Sequence, residues 1–130
     1  MLKKTITYTD YNGVERTEDF YFNLTKSELV EMELSTEGGL MSKLERLSGD
    51  PDGVEIMKIF KDIILKSYGE KSSDGKRFIK SEEISKAFSQ TEAYNTLFME
   101  LVTDAEKAAE FAEAIIPNFE PDASKISPIK

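Results

Sequence analysis

The chain has 130 residues, with 17 Lys and Arg against 25 Asp and Glu, and it contains no cysteine and no histidine. This composition excludes the usual zinc and iron–sulfur sites, disulfides, and nucleophilic catalysis that depends on cysteine or histidine. Because phosphate binding needs clustered Lys and Arg, the formal net charge of −8 also argues against nucleic-acid binding. We therefore expect a protein with no cofactor, no metal and no enzymatic activity.

Hydrophobic residues make up 39% of the chain and charged residues 32%, which is typical of a globular domain. The apolar runs are only a few residues long, whereas a membrane-spanning helix needs about 18. The first residues lack the apolar core of a signal peptide. We therefore expect a cytoplasmic protein with no membrane partner.

Residues 1–24 are predicted to form a β-hairpin, because Asn12 and Gly13 are a strong turn signal between strand-like runs. A three-residue loop over 11–13, with Gly13 in the left-handed region, pairs even positions with even ones, whereas a two-residue loop would pair even with odd. We predict the three-residue loop, since it gathers the apolar residues on one face. These residues are Leu2, Ile6, Tyr8, Val14, Phe20, Phe22 and Leu24.

Helices are predicted for the rest of the chain. Thr25 and Glu28 have the spacing of a capping box and start a helix that reaches about residue 34. The glycines at 38–39 break this helix, and a short helix follows over residues 40–47.

The most regular helical pattern covers residues 51–68, with Asp50 as its N-cap and Gly69 as its C-terminal cap. One stripe of this helix is predicted to face the core. It consists of Ile56, Ile59, Phe60, Ile63, Ile64 and Ser67.

A polar loop is predicted over residues 69–80. Ser81 and Thr91 then each fit the N-cap position of a further helix. Asp104 marks a break or kink, after which the helical pattern continues over residues 105–116 and ends at Pro117. The loop faintly resembles a calcium-binding loop, but its charges and spacing fit a plain turn better.

The predicted fold class is therefore α+β, mainly α. The antiparallel hairpin of residues 1–24 packs on a small bundle of about five or six helices in residues 25–117. Residues 1–117 form one domain, and residues 118–130 form a flexible C-terminal tail.

The C-terminal part is unusually acidic, since residues 92–122 contain eight acidic side chains and one basic side chain. Two interpretations remain open: a solvated face that maintains solubility, or a surface that attracts a basic partner.

Several runs of the chain together resemble a known family. They cover residues 5–13, 20–29, 63–71, 74–83 and 88–94. In these runs the chain is similar to the tail assembly chaperones of long-tailed (siphovirus-type) bacteriophages of Gram-positive bacteria. The resemblance implies a non-enzymatic protein of the host cytoplasm that is absent from the mature virion. Its implied partners are the tape measure protein, which it keeps soluble, and the tail tube protein, which it helps to recruit; self-association is left open.

A partner-binding surface is predicted on the last helices, where apolar residues alternate with glutamates. Its members are Phe98, Phe111, Ile115 and Ile116, rimmed by Glu106, Glu110 and Glu113. The alternative is that the apolar members belong to the core. Two other functions also remain open: an acidic DNA mimic that inhibits a host protein, and a small virion connector or completion protein.

Overall fold

A computed structural model describes residues 1–35 and 53–116 of the chain. Within these ranges, five helices accompany a four-stranded antiparallel sheet with the order β1-β2-β3-β4, so the fold is mixed α+β. The elements in chain order are β1 (Leu2–Thr9), β2 (Glu15–Phe22), α1 (Lys26–Ser35), α2 (Gly53–Ser67), β3 (Tyr68–Lys71), β4 (Phe78–Ile79), α3 (Glu82–Ser89), α4 (Glu92–Thr103) and α5 (Ala105–Ile115).

Several sequence predictions lie outside the described residues. They are the glycine break at 38–39, the helix over 40–47, the N-cap at Asp50, the stop at Pro117 and the tail over 118–130.

The predicted register of the first hairpin is confirmed. Leu2 pairs with Phe22 and Thr9 with Glu15, so even positions face even positions throughout. The loop has three residues, and Gly13 adopts the predicted left-handed conformation with φ of +79°. This register places the apolar side chains on one face, although Val14 at the tip is 52% exposed.

The predicted helix starts are confirmed where the structure describes them. The backbone N–H of Thr25 donates to Glu28 Oε1 at 2.8 Å, and the backbone N–H of Glu28 donates to Thr25 Oγ1 at 3.1 Å. This reciprocal pair is a capping box. Ser81 and Thr91 occupy the N-cap positions of α3 and α4, and each side chain accepts a backbone hydrogen bond. Asp104, where a break or kink is predicted, is the N-cap of the separate helix α5, and its side chain accepts from the backbone N–H groups of Glu106 and Lys107.

The predicted polar loop over 69–80 is wrong in part, because it contains a second hairpin made of β3 and β4. Helix α2 ends at Ser67, and Gly69 pairs with Tyr21 in the sheet instead of capping the helix. A Cβ at Gly69 would lie 2.7 Å from the Phe78 ring and 2.9 Å from the Ile79 carbonyl oxygen. Glycine is therefore required here for close packing of two strands and not for a helix cap.

Aromatic rings join the sheet to the helices. The side chain of Phe22 on β2 is fully buried, and its ring centroid lies 5.4 Å from that of Phe111 on α5 and 5.8 Å from that of Phe88 on α3. Tyr68 on β3 stacks on Phe88 with the centroids 4.1 Å apart. This cluster fixes the hairpin against the helical part of the molecule.

Two backbone hydrogen bonds fix the segment that leaves β2. The N–H of Asn23 donates to the carbonyl of Ser67 at 2.8 Å, and the N–H of Leu24 donates to the carbonyl of Ile115 at 3.1 Å. The ends of α2 and α5 are thus held beside the end of the hairpin. None of the helices in the described ranges is long and apolar enough to cross a membrane.

Candidate protein-interaction surface

Helix α5 has one buried side and one charged side. With about 3.6 residues per turn, Glu106, Glu110 and Glu113 lie along one line of the helix, and all three are exposed. The buried residues lie on the opposite side; they are Ala108, Phe111 and Ile115. We refer to Glu106, Glu110 and Glu113 as the acidic stripe.

The carboxylates of the acidic stripe make no hydrogen bond or ion pair within residues 1–35 and 53–116. The nearby Glu100 differs, because its carboxylate accepts from Lys4 Nζ at 2.8 Å and lies 4.0 Å from Lys107 Nζ. Glu100 therefore holds α4 against β1, whereas the acidic stripe has its charge free for contact with another molecule.

Three apolar members of the predicted surface lie in the core, which corrects the expectation that they are exposed. Phe111 is 3% exposed, Ile115 1% and Ile116 8%. The Phe111 ring packs edge-on against the Phe22 ring, so it serves the junction between hairpin and helices. The alternative interpretation, that these three residues are core residues, is confirmed.

Phe98 differs from those three because it is only partly buried. Its ring stacks on that of Tyr94 at 5.8 Å, and the Tyr94 ring in turn meets Phe88 edge-on at 5.8 Å. Phe98 thus lies at one end of the aromatic series that begins in the hairpin, with part of its side chain open to solvent.

Two further apolar residues accompany Phe98 on α4. Met99 is 55% exposed and Val102 is partly buried. Residues three and four positions apart are neighbours on a helix, so Phe98, Met99 and Val102 form one apolar patch. The surface predicted from the sequence included neither Met99 nor Val102. The position of Met99 outside the buried stripe of α4 was the signal that could have indicated its exposure.

Helices α4 and α5 pack against each other. We call the apolar patch and the acidic stripe together the α4–α5 surface. It offers a small apolar area on one helix and, on the next, carboxylates without a partner in the described part of the chain, which suits a basic amphipathic segment of another protein.

The loop between β3 and β4 shows no sign of a cation site. Asp74 Oδ1 accepts from Ser72 Oγ at 2.7 Å and from the backbone N–H of Lys76 at 2.9 Å. The Lys76 N–H and then the Ser72 hydroxyl lower the pKa of Asp74, because they stabilise its ionised form. In the described part of the chain, no cluster of three or more potential ligands could hold a metal ion. The loop is a turn, closed by its own hydrogen bonds.

The fold is that of a small α+β protein, and the α4–α5 surface is its candidate site for contact with another protein. A family model described as phage tail assembly chaperone matches residues 1–120, and the chain belongs to that family. Comparison with curated proteins and comparison with solved structures each found no match.

Proposed function

We propose that this protein is a non-enzymatic tail assembly chaperone that binds the tape measure protein of a siphovirus-type phage of Gram-positive bacteria. It keeps that protein soluble in the host cytoplasm, helps to recruit tail tube subunits and does not enter the mature virion. Family membership supports the general role. The observation that carries the binding mode is the acidic stripe, whose carboxylates have no partner among the described residues.

The α4–α5 surface suits a long helical client. An amphipathic helix with basic flanks would place its apolar face on Phe98, Met99 and Val102 and its basic side chains beside the acidic stripe. The apolar patch is small, so each contact is weak enough to release during tail assembly. The charges raise the association rate and favour basic over acidic segments.

Co-expression tests the function. The tape measure protein is produced in a bacterial host alone and together with this chain, and its soluble fraction is measured. We expect aggregation without the chain and a severalfold larger soluble fraction with it. An unchanged soluble fraction would contradict the chaperone function.

Mass spectrometry of purified phage particles tests the predicted absence from the virion. We expect the tape measure and tube proteins to be present and this chain to be missing. Recovery of this chain in stoichiometric amounts would favour the alternative of a virion connector or completion protein.

A further inference from the structure

The outer edge of β1 is a long row of backbone groups without a partner among the described residues. In the strand order β1-β2-β3-β4, β1 is an edge strand over Leu2–Thr9. The N–H of Asp10 donates to the carbonyl of Val14 at 2.9 Å, so this even-numbered pair is a hydrogen-bonded pair of the antiparallel ladder. Even residues of β1 therefore turn their backbone groups toward β2, and odd residues turn theirs outward.

The odd residues of β1 are all exposed, and no backbone partner meets them within residues 1–35 and 53–116. They are Lys3, Thr5, Thr7 and Thr9. The strand contains no proline, and its pairing with β2 runs from end to end without a bulge. Proline, bulges, charged side chains and a covering helix are the usual ways in which proteins block such an edge. Strand β1 has one outward-facing lysine, Lys3, and helix α4 packs against β1 where Lys4 binds Glu100. The outward backbone groups of Thr5, Thr7 and Thr9 nevertheless have no partner among the described residues, so they are suited to pairing with another strand.

The charges along the hairpin indicate which strand would pair there. Lys3 and Lys4 lie at the first end of β1, where Lys4 pairs with Glu100, and Asp10 and Glu15 lie at the hairpin tip, where Asp10 pairs with Arg16. Lys3 and Glu15 are exposed and form no ion pair with the described residues. A second copy in the antiparallel direction would bring Lys3 of each hairpin toward Glu15 of the other. The parallel direction would instead align lysine with lysine.

We propose that two copies of this chain pair antiparallel through the outer edges of β1 and form one continuous sheet. This association does not depend on the proposed function. It uses the edge of the sheet that is formed by β1, which is opposite the edge formed by β4. It would join two α4–α5 surfaces in one particle, so that a long client is held at two points with higher avidity.

Two matched proline variants test the pairing. Thr7 and Thr17 face each other across the hairpin, with their hydroxyl oxygens 2.9 Å apart. Both backbone N–H groups point away from the β1–β2 ladder, and β3 pairs only with Tyr21 and Phe22 of β2. Each proline thus removes one outward donor from the same hairpin, but only Thr7→Pro changes the β1 edge.

Sedimentation analysis over a range of concentrations provides the measurement. We expect a dimer for the wild type and for Thr17→Pro, and a dissociation constant at least tenfold higher for Thr7→Pro. Circular dichroism checks that both variants fold. A monomeric wild type at the highest concentrations, or equal dissociation constants for the two variants, would overturn the proposal.

Cysteine variants provide a test that does not depend on proline. The chain has no cysteine, so Thr7→Cys and Thr17→Cys each introduce a single reactive thiol. A short bis-maleimide reagent covers residues that are directly or diagonally opposite in a strand pair, about 4.5–8 Å apart. We expect cross-linked dimers from Thr7→Cys and few from Thr17→Cys. Equal yields would contradict pairing through β1.

A charge exchange tests the antiparallel direction. We expect Lys3→Glu to weaken the dimer severalfold and the double variant Lys3→Glu, Glu15→Lys to restore it. A dimer that is unaffected by Lys3→Glu would overturn the antiparallel assignment.

Discussion

At the scale of single residues, Gly69 shows why one local signal misled the sequence analysis. A glycine after a regular helix is typical of a C-terminal cap, and residues 51–68 are strongly helical in pattern. The actual constraint lies across the sheet, where Phe78 and Ile79 leave no room for a Cβ. The spacing of residues in the sequence does not reveal this contact, because the contact depends on which strand lies beside β3.

Replacement of Gly69 by alanine is expected to lower the free energy of unfolding by about 1–3 kcal/mol, because the ring of Phe78 and the backbone of Ile79 must move. Gly53→Ala is the matched control, since it lies at the start of α2 with open space around it. We expect this control to be neutral or stabilising by up to about 1 kcal/mol. Urea denaturation of both variants provides the measurement, and equal losses would contradict the close-packing explanation.

Lys80 joins three segments of the chain through one ammonium group. Its Nζ donates to both carboxylate oxygens of Glu28 at 2.8 Å and to the carbonyl of Asn23 at 2.6 Å. Burial raises the pKa of Glu28, but the hydrogen bonds from Lys80 and Thr25 outweigh burial, so the net pKa lies below its ordinary value of 4.5. A carboxyl group with a lowered pKa stabilises the fold above pH 4.5, and that contribution is lost as the pH falls through the folded-state pKa.

The variant Glu28→Gln is therefore expected to be less stable than the wild type at pH 7 and closer to it in acid. Glu31→Gln on the same helix is the control, because Glu31 is exposed and forms no ion pair with residues of the described ranges. Urea denaturation between pH 7 and pH 3 measures the difference. A constant difference between Glu28→Gln and wild type over that range would rule out the ion pair as its source.

At the scale of elements, the sequence predicted those features that depend on local chemistry. The even-numbered apolar residues and Gly13 determine the register of the hairpin, and the side chains of Thr25, Ser81 and Thr91 mark helix starts. The short strands β3 and β4 were missed, because four and two residues give no clear alternation.

The apolar stripe of α5 shows a second limit of sequence analysis. Phe111, Ile115 and Ile116 have a spacing that fits either a core face or a binding face. What decides between them is Phe22, a residue distant in the chain that packs against Phe111. The three glutamates on the opposite side are predictable from the same periodicity, and together with the partly exposed Phe98 they remain as the accessible part of the predicted site.

Phe88 connects the elements of the core and provides a test of the packing. Its ring stacks on Tyr68 at 4.1 Å and meets Phe22 and Tyr94 edge-on, each at 5.8 Å. We expect Phe88→Ala to lower the free energy of unfolding by about 3–5 kcal/mol. Met99→Ala, at an exposed position, should change it by less than about 0.5 kcal/mol in urea denaturation. Similar losses from the two variants would show that the aromatic cluster is not the centre of the core.

At the scale of the whole molecule, the carboxylates that give the net charge of −8 have different roles. Some carboxylates maintain the fold, such as Glu28 with Lys80 and Glu100 with Lys4. The acidic stripe makes no such contact within the described residues, and its helix packs against the helix that carries the partly exposed Phe98. Composition alone indicated an acidic protein, whereas the structure separates the charges that stabilise it from those available to a partner.

Salt dependence follows from this separation. Exposed charges are screened over roughly 8–10 Å at moderate ionic strength, so binding through the acidic stripe should weaken as salt rises. We expect the affinity for the tape measure protein to fall severalfold between low and high salt, measured by calorimetry, while the free energy of unfolding changes little. Affinity that is independent of salt would indicate a purely apolar interface.

The most direct test of the account is co-purification of the tape measure protein with charge-reversed variants. In one variant the three glutamates of the acidic stripe become lysine. In the control Glu70, Glu82 and Glu83, which are also exposed, become lysine, so the total charge changes equally. We expect recovery of the tape measure protein with the wild type and the control, and at least a tenfold loss with the stripe variant. Full recovery with the folded stripe variant, or equal losses with both variants, would contradict binding through the α4–α5 surface.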